Sequence, residues 1–165
     1  MSSPVDHVGH IIEQWAVERP ELDVSPIGII GRLHRLSATL YAELDTVYSE
    51  HGLGDGEFDV LATLRRTGRP YALTPSELAD QTMVTSGAVT KRVDRLMAAG
   101  LVTREVNARD ARSRLVALSP RGLRLIDRAF AAHVDNERRL VGHLTDREQR
   151  LLATLLEKWG RALGA

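Results

Sequence analysis

At 165 residues the chain is long enough for one domain, or for one domain with helical extensions. Hydrophobic residues at 43% and charged residues at 27% suit a soluble globular protein, with aromatics at only 4%, so Leu, Val, Ile and Ala must build the core. There is no cysteine, which excludes disulfides, thiol nucleophiles and cysteine redox sensing and fits a cytoplasmic protein, and the formal net charge is zero.

Residues Val5 to Arg19 have the spacing of an amphipathic helix, with Val8, Ile12 and Trp15 on one stripe. The acid and two histidines in MSSPVDHVGH stand where a secretory leader needs an apolar run. Pro20 and the segment PELDVSP interrupt the pattern. A longer helix is expected from about Ile27 to His51, carrying Ile30, Leu33, Leu36, Leu40, Leu44 and Val47, and stopping at Gly-Leu-Gly. The uncharged stretch VSPIGIIG is far too short to span a membrane, so no membrane partner is expected.

Shorter elements fill the middle. A helix over Glu57–Arg66 bears Phe58, Leu61 and Leu64. After the loop TGRPYAL, the pentapeptide TPSEL combines an N-cap (Thr74), a first-turn proline and a capping-box acid (Glu77). That short helix runs through Asp80. The turn QTMVTS then leads to a second helix from Ser86 to Ala99, with Val89, Val93, Leu96 and Met97 inward and Gly100 closing it. The runs LVTREV (101–106) and RLVALS (114–119), separated by NARDARS, read as a hairpin with an arginine-rich tip. Ser119-Pro120 starts a helix to about Val141. Thr145 and Glu148 box the last one, with Leu151, Leu152, Leu155, Leu156 and Trp159 inside.

The zero net charge conceals an island. From Ser86 to Arg114 there are seven basic residues against three acidic ones, a balance of +4, and the other 15 basic and 19 acidic residues leave −4 elsewhere. A basic face on an acidic body is the footprint of a phosphate partner. Two short helices around a tight turn, the second basic and followed by a hairpin, make a winged helix-turn-helix. The fold expected is mainly α with a small β-wing, divided into N-terminal helices (1–54), a DNA-binding domain (55–119) and C-terminal dimerisation helices (120–165). Ser86, Gly87 and Thr90 let the backbone approach the major groove of double-stranded DNA, and Lys91, Arg92 and Arg95 follow on the outward face. Arg109 and Arg112 at the tip are long enough for a minor groove. The plainer reading of Lys91, Arg92 and Arg95 is a solvated helix face.

These residues also carry a resemblance. The stretch Glu57–Gly122, with "SELAD…TSGAVTKRVDRLMAAGLVTR" and "RDARSRLVALSPRG", resembles the MarR family of bacterial regulators. The family's wing pattern Asp-x-Arg-x-x-x-Val-x-Leu-Thr is met by Asp110, Arg112, Val116 and Leu118, with Ser119 in place of the threonine. The resemblance implies a homodimer whose N- and C-terminal helices interlock, and a palindromic operator.

Within the family, the extra first helix with Trp15 and the phrase GEFDVLATLRR look like the urate-responsive subgroup. That likeness implies ligand-binding positions at Trp15, Asp59, Arg92 and Arg104, although the Trp15–Asp59 interval is shorter than in some members. A planar anion needs an aromatic or polar edge and a cation, and an acid displaced by it transmits the change. Each position has a simpler alternative: core packing for Trp15, a helix-start acid for Asp59, a phosphate contact for Arg92 and an exposed strand residue for Arg104.

No catalytic constellation is present: no Gly-x-Ser-x-Gly, no phosphate loop and no cysteine, so the chain is read as a regulator and not an enzyme, without cofactor or metal. His7 and His10 share a helix face but lack further ligands. Two other readings stand beside the urate-type effector. One is a different phenolic or antibiotic ligand, and the other is a DNA binder with no ligand.

Overall fold

The computed structural model describes residues 5–82, 86–107 and 110–164. In chain order the elements are α1 (His7–Glu18), α2 (Ile27–Glu50), α3 (Asp55–Arg66), β1 (Ala72–Leu73), α4 (Pro75–Gln81), α5 (Ser86–Ala98), β2 (Val102–Asn107), β3 (Asp110–Leu118), α6 (Pro120–Val141) and α7 (Asp146–Leu163). The architecture is mainly α with one small antiparallel sheet, as the sequence leads one to expect. It divides into two compact units, Met1–Glu43 and Leu44–Ala165. No described helix is long and apolar enough to cross a membrane.

In the first unit, α1 begins later than the apolar spacing suggests. Asp6 is its N-cap and accepts the Gly9 amide at 2.8 Å, so Val5 lies outside the helix. The same carboxylate is gripped by the Arg32 fork, Nε to Oδ2 at 2.9 Å and Nη2 to Oδ1 at 2.8 Å. The hydrogen bonds from Arg32, and then from Gly9, hold the Asp6 carboxyl below its ordinary 3.8, at about 2. A folded value below the unfolded one means the stabilisation is complete above the ordinary value and fades as pH falls towards the folded one. Asp6→Asn, which keeps the cap but not the charge, is therefore expected to lower the melting temperature at neutral pH. The gap should close as pH drops from about 4 towards 2, and a gap independent of pH would show that the charge contributes nothing.

Along α2, the predicted stripe is uncovered within this unit: Ile30, Leu33 and Leu36 are all exposed, and only Leu40 is half-buried. Val8 is the buried apolar residue of α1, packed where Gly31 leaves room for its methyl groups.

The second unit holds the main core. Phe58, Leu61 and Leu64 of α3 are buried as their spacing predicts, together with Leu78 of α4, Val89, Val93 and Leu96 of α5, and Ile126 of α6. Met97 is only partly buried at the edge of this cluster. Tyr48 stacks on Phe58 with ring centroids 4.2 Å apart, and the His133 ring lies 4.9 Å from Phe58. Both threonine capping boxes form: Thr74 N–H donates to Glu77 Oε2 at 2.8 Å, and Thr145 N–H to Glu148 Oε2 at 2.8 Å. Glu77 is held below the usual carboxylate range by the Thr74 amide and then its hydroxyl, and Glu148 by the Thr145 hydroxyl and then its amide.

The sheet order is β1-β3-β2. β1, which the sequence presents as loop, pairs Ala72 with Ala117 and Leu73 with Val116. Two residues are too few to show alternation, and only β3 makes them a strand. Between β2 and β3 the register runs from Val102↔Leu118 to Val106↔Arg114, then breaks before Asn107↔Asp110. The polar segment expected as a long tip is therefore largely strand: Asn107 closes β2, and Asp110 to Ser113 open β3. A polar segment has no apolar alternation of period two to reveal a strand.

The last helix carries the apolar stripe that the sequence assigns to it, uncovered in the single chain. Leu151, Leu152, Leu155 and Leu156 are 42% to 57% exposed, and α7 buries no residue. Its leucine face has no cover within the described chain.

Candidate DNA-binding interface

The site is built from α4, α5 and the β2–β3 hairpin. Thr74 and Pro75 set the start of α4, and the fully buried Leu78 anchors it under α5. Val89, Val93 and Leu96 face the core at spacings of three and four, which turns Thr90, Lys91, Asp94 and Arg95 outward, all exposed. Gly100, at φ +67°, ends α5 in the left-handed conformation, and Leu101 N–H reaches back to Leu96 O at 2.9 Å.

The predicted DNA contacts divide into three groups. Thr90, Lys91 and Arg95 are on the exposed face, although Arg95 Nε is also 3.2 Å from Glu57 Oε1 of α3. Ser86 and Gly87 lie in the first turn of α5, and Asp110 and Arg112 lie in β3, so Arg112 is a strand residue and not a tip residue. Arg109 lies outside the described residues.

Arg92 is the correction. It is expected on the outward face, yet its guanidinium turns inward onto α3: a Cβ placed on Gly56 would overlap Arg92 Nε and Cζ. Arg92 Nη1 is buried and has no hydrogen-bond partner among the described residues. The reason is tertiary, because a long side chain at the edge of the inward stripe follows whatever space the neighbouring helix leaves.

Of the ligand-type residues, Asp59 is half-buried on α3, three residues beyond Gly56 and so on the same helix face that receives Arg92. Arg104 of β2 reaches α5, with Nη2 donating to Asp94 Oδ1 at 2.8 Å. Trp15 belongs to the first unit, on α1, about half exposed. Sequence reasoning passed over Glu57 and Asp94, the carboxylates that tie Arg95 and Arg104. Asp94 is signalled only as an acid within the basic segment, and Glu57, outside that segment, carries no such signal.

No group of three or more metal-type ligands is found among the described residues. A basic helix seated on a second helix and flanked by a two-stranded wing defines a winged helix-turn-helix DNA-binding protein.

The MarR family profile matches residues 51–113. The chain is 42% identical over 149 residues to the HTH-type transcriptional regulator PecS of Dickeya dadantii, spanning 90% of each chain. It is 33% identical over 138 residues to an HTH-type transcriptional repressor of Mycobacterium tuberculosis, covering 84% of this chain and 96% of that one. Among solved structures, a mutant MarR from E. coli complexed with operator DNA superposes with TM-score 0.70 at 30% identity, over 83% of this chain and 98% of that one. The chain belongs to the MarR family of transcriptional regulators and is not an enzyme.

Proposed function

We propose that the protein is a cytoplasmic repressor that binds a pseudo-palindromic operator as a homodimer and is released by a small anionic aromatic ligand, such as urate or a related purine. Residues 55–119 are the DNA-binding domain, and 1–54 with 120–165 supply the dimerisation helices. In this reading α5 enters the major groove with Ser86, Gly87, Thr90, Lys91 and Arg95. The wing brings Arg109 and Arg112 to a minor groove, with Asp110 beside them. Two-fold symmetry sets the half-sites about one helical turn apart. The operator complex of the E. coli relative supports the DNA part. The exposed leucine face of α7 supports the dimer, because a second copy removes it from water.

The ligand part assigns Trp15, Asp59, Arg92 and Arg104, and Trp15 rests on the family resemblance alone. The observation that carries it is the placement of Arg92: a guanidinium held against the Asp59 face of α3, with a buried N–H still to be satisfied. Arg104 adds the coupling. An anion that takes Arg104 competes with Asp94, and so loosens the tie between the wing strand and the recognition helix. The ligand then acts through unequal affinity for two arrangements of that helix, as an effector must.

The test is a titration of the protein against DNA from upstream of its own gene, with and without urate. Relief by urate is the expected result. Specific binding that urate leaves untouched retains the regulator and removes this ligand, and binding without sequence preference removes the operator as well. Arg104→Ala should abolish the relief. It should change DNA affinity itself only modestly, since an exposed pair contributes at most about 1 kcal/mol. A response that survives Arg104→Ala would point to a neutral aromatic ligand.

A further inference from the structure

Gly56 is buried in the first turn of α3, and its backbone is not in the left-handed region, so conformational freedom does not account for a glycine there. Alanine is the better helix former at such a position. What Gly56 supplies is space. A Cβ at this position would fall on Nε and Cζ of Arg92, so the guanidinium lies against bare α3 backbone. The next residue, Glu57, takes Arg95 at 3.2 Å, so one turn of α3 receives two arginines of the recognition helix. Only Arg95 keeps its outward exposure, and Arg92 Nη1 is buried without a partner among the described residues. The inward pose is thus held by fit at Gly56 and not by a hydrogen bond to Nη1.

We infer that Gly56 is a positioning residue for Arg92: the missing side chain admits the guanidinium to an inner station against α3 and withholds its charge from the DNA-facing side of α5. Filling the seat sends Arg92 outward beside Lys91 and Arg95, where it becomes an additional phosphate contact. The atoms that a Cβ would meet are the far end of a flexible side chain, so the swing costs little and the helices need not separate. This inference concerns DNA binding alone and does not depend on the effector.

The experiment compares the parent, Gly56→Ala, Arg92→Ala and the double variant as full chains. Phenylglyoxal labelling, followed by peptide mass mapping, reads the accessibility of the Arg92 guanidinium. Labelling of Arg92 should be slow in the parent and several-fold faster in Gly56→Ala. With a mixed-sequence DNA duplex, the plot of log affinity against log salt should steepen in Gly56→Ala by about 0.9, the value for one further phosphate. In the Arg92→Ala background, Gly56→Ala should raise the melting temperature and leave the salt slope alone. Equal labelling of Arg92 in the parent and Gly56→Ala, or an unchanged slope, overturns the inference. So does a double variant that melts below Arg92→Ala, since Gly56 would then be needed for a reason other than Arg92.

Discussion

Replacing Gly122 by alanine is expected to destabilise the protein by about 3 kcal/mol, the upper end of ordinary overpacking, and replacement by valine by more. Gly122 is buried near the start of α6, and a Cβ there would overlap the carbonyl oxygen of Leu101. That oxygen cannot retreat freely, because it accepts the Ser119 amide at 3.0 Å. Ser119 is committed twice more: its hydroxyl donates to Gly100 O at 2.8 Å and accepts the Gly122 amide at 2.9 Å. The end of α5, the start of β2 and the start of α6 therefore meet at one junction, and a methyl group in its middle must push backbone apart. For a chain of this size the loss corresponds to roughly 6–12 °C in melting temperature. Thermal unfolding of Gly122→Ala checks it. A shift below about 2 °C would mean that α6 slides away without resistance. Operator affinity should fall with stability, since the same junction sets the angle between recognition helix and wing.

Arg112→Ala is expected to weaken operator binding by about 1–3 kcal/mol, or roughly 5- to 150-fold, at fixed salt. The reason combines the family's wing pattern with the observed hairpin. Arg112 lies in β3 on the far side of the register break at Val106/Asn107, in the part of the wing remote from the core end where Val102 pairs with Leu118. The Arg112 backbone belongs to β3, within the irregular stretch between the Val106↔Arg114 and Asn107↔Asp110 pairs. Lys91→Ala serves as the comparison. It should weaken specific and non-specific binding alike and lower the salt slope by about one. An Arg112→Ala protein with unchanged operator affinity would remove the wing from the interface, whatever Lys91 does.

Much of this protein was legible from residues a few positions apart. Thr74 with Glu77, Thr145 with Glu148 and Gly100 after Leu96 announce helix ends because the bonds they make close within one turn. The buried stripes of α3 and α5 follow from the 3.6 period, and the basic island with its wing pattern follows from residue type alone. What lay beyond reach depended on neighbours distant in sequence. β1 is a strand only because β3 lies beside it, and β3 begins at Asp110 because pairing with β2 tolerates polar side chains. Arg92 shares its helix with Lys91 and differs from it in direction, because Gly56, 36 positions earlier, leaves a gap that a long side chain can enter. Periodicity assigns Leu151 and Leu155 to an apolar face but says nothing of what covers it, and within one chain nothing described does. Local bonds and helical period are properties of the sequence. The direction of a long side chain and the cover over an apolar face are decided by whatever the fold brings opposite.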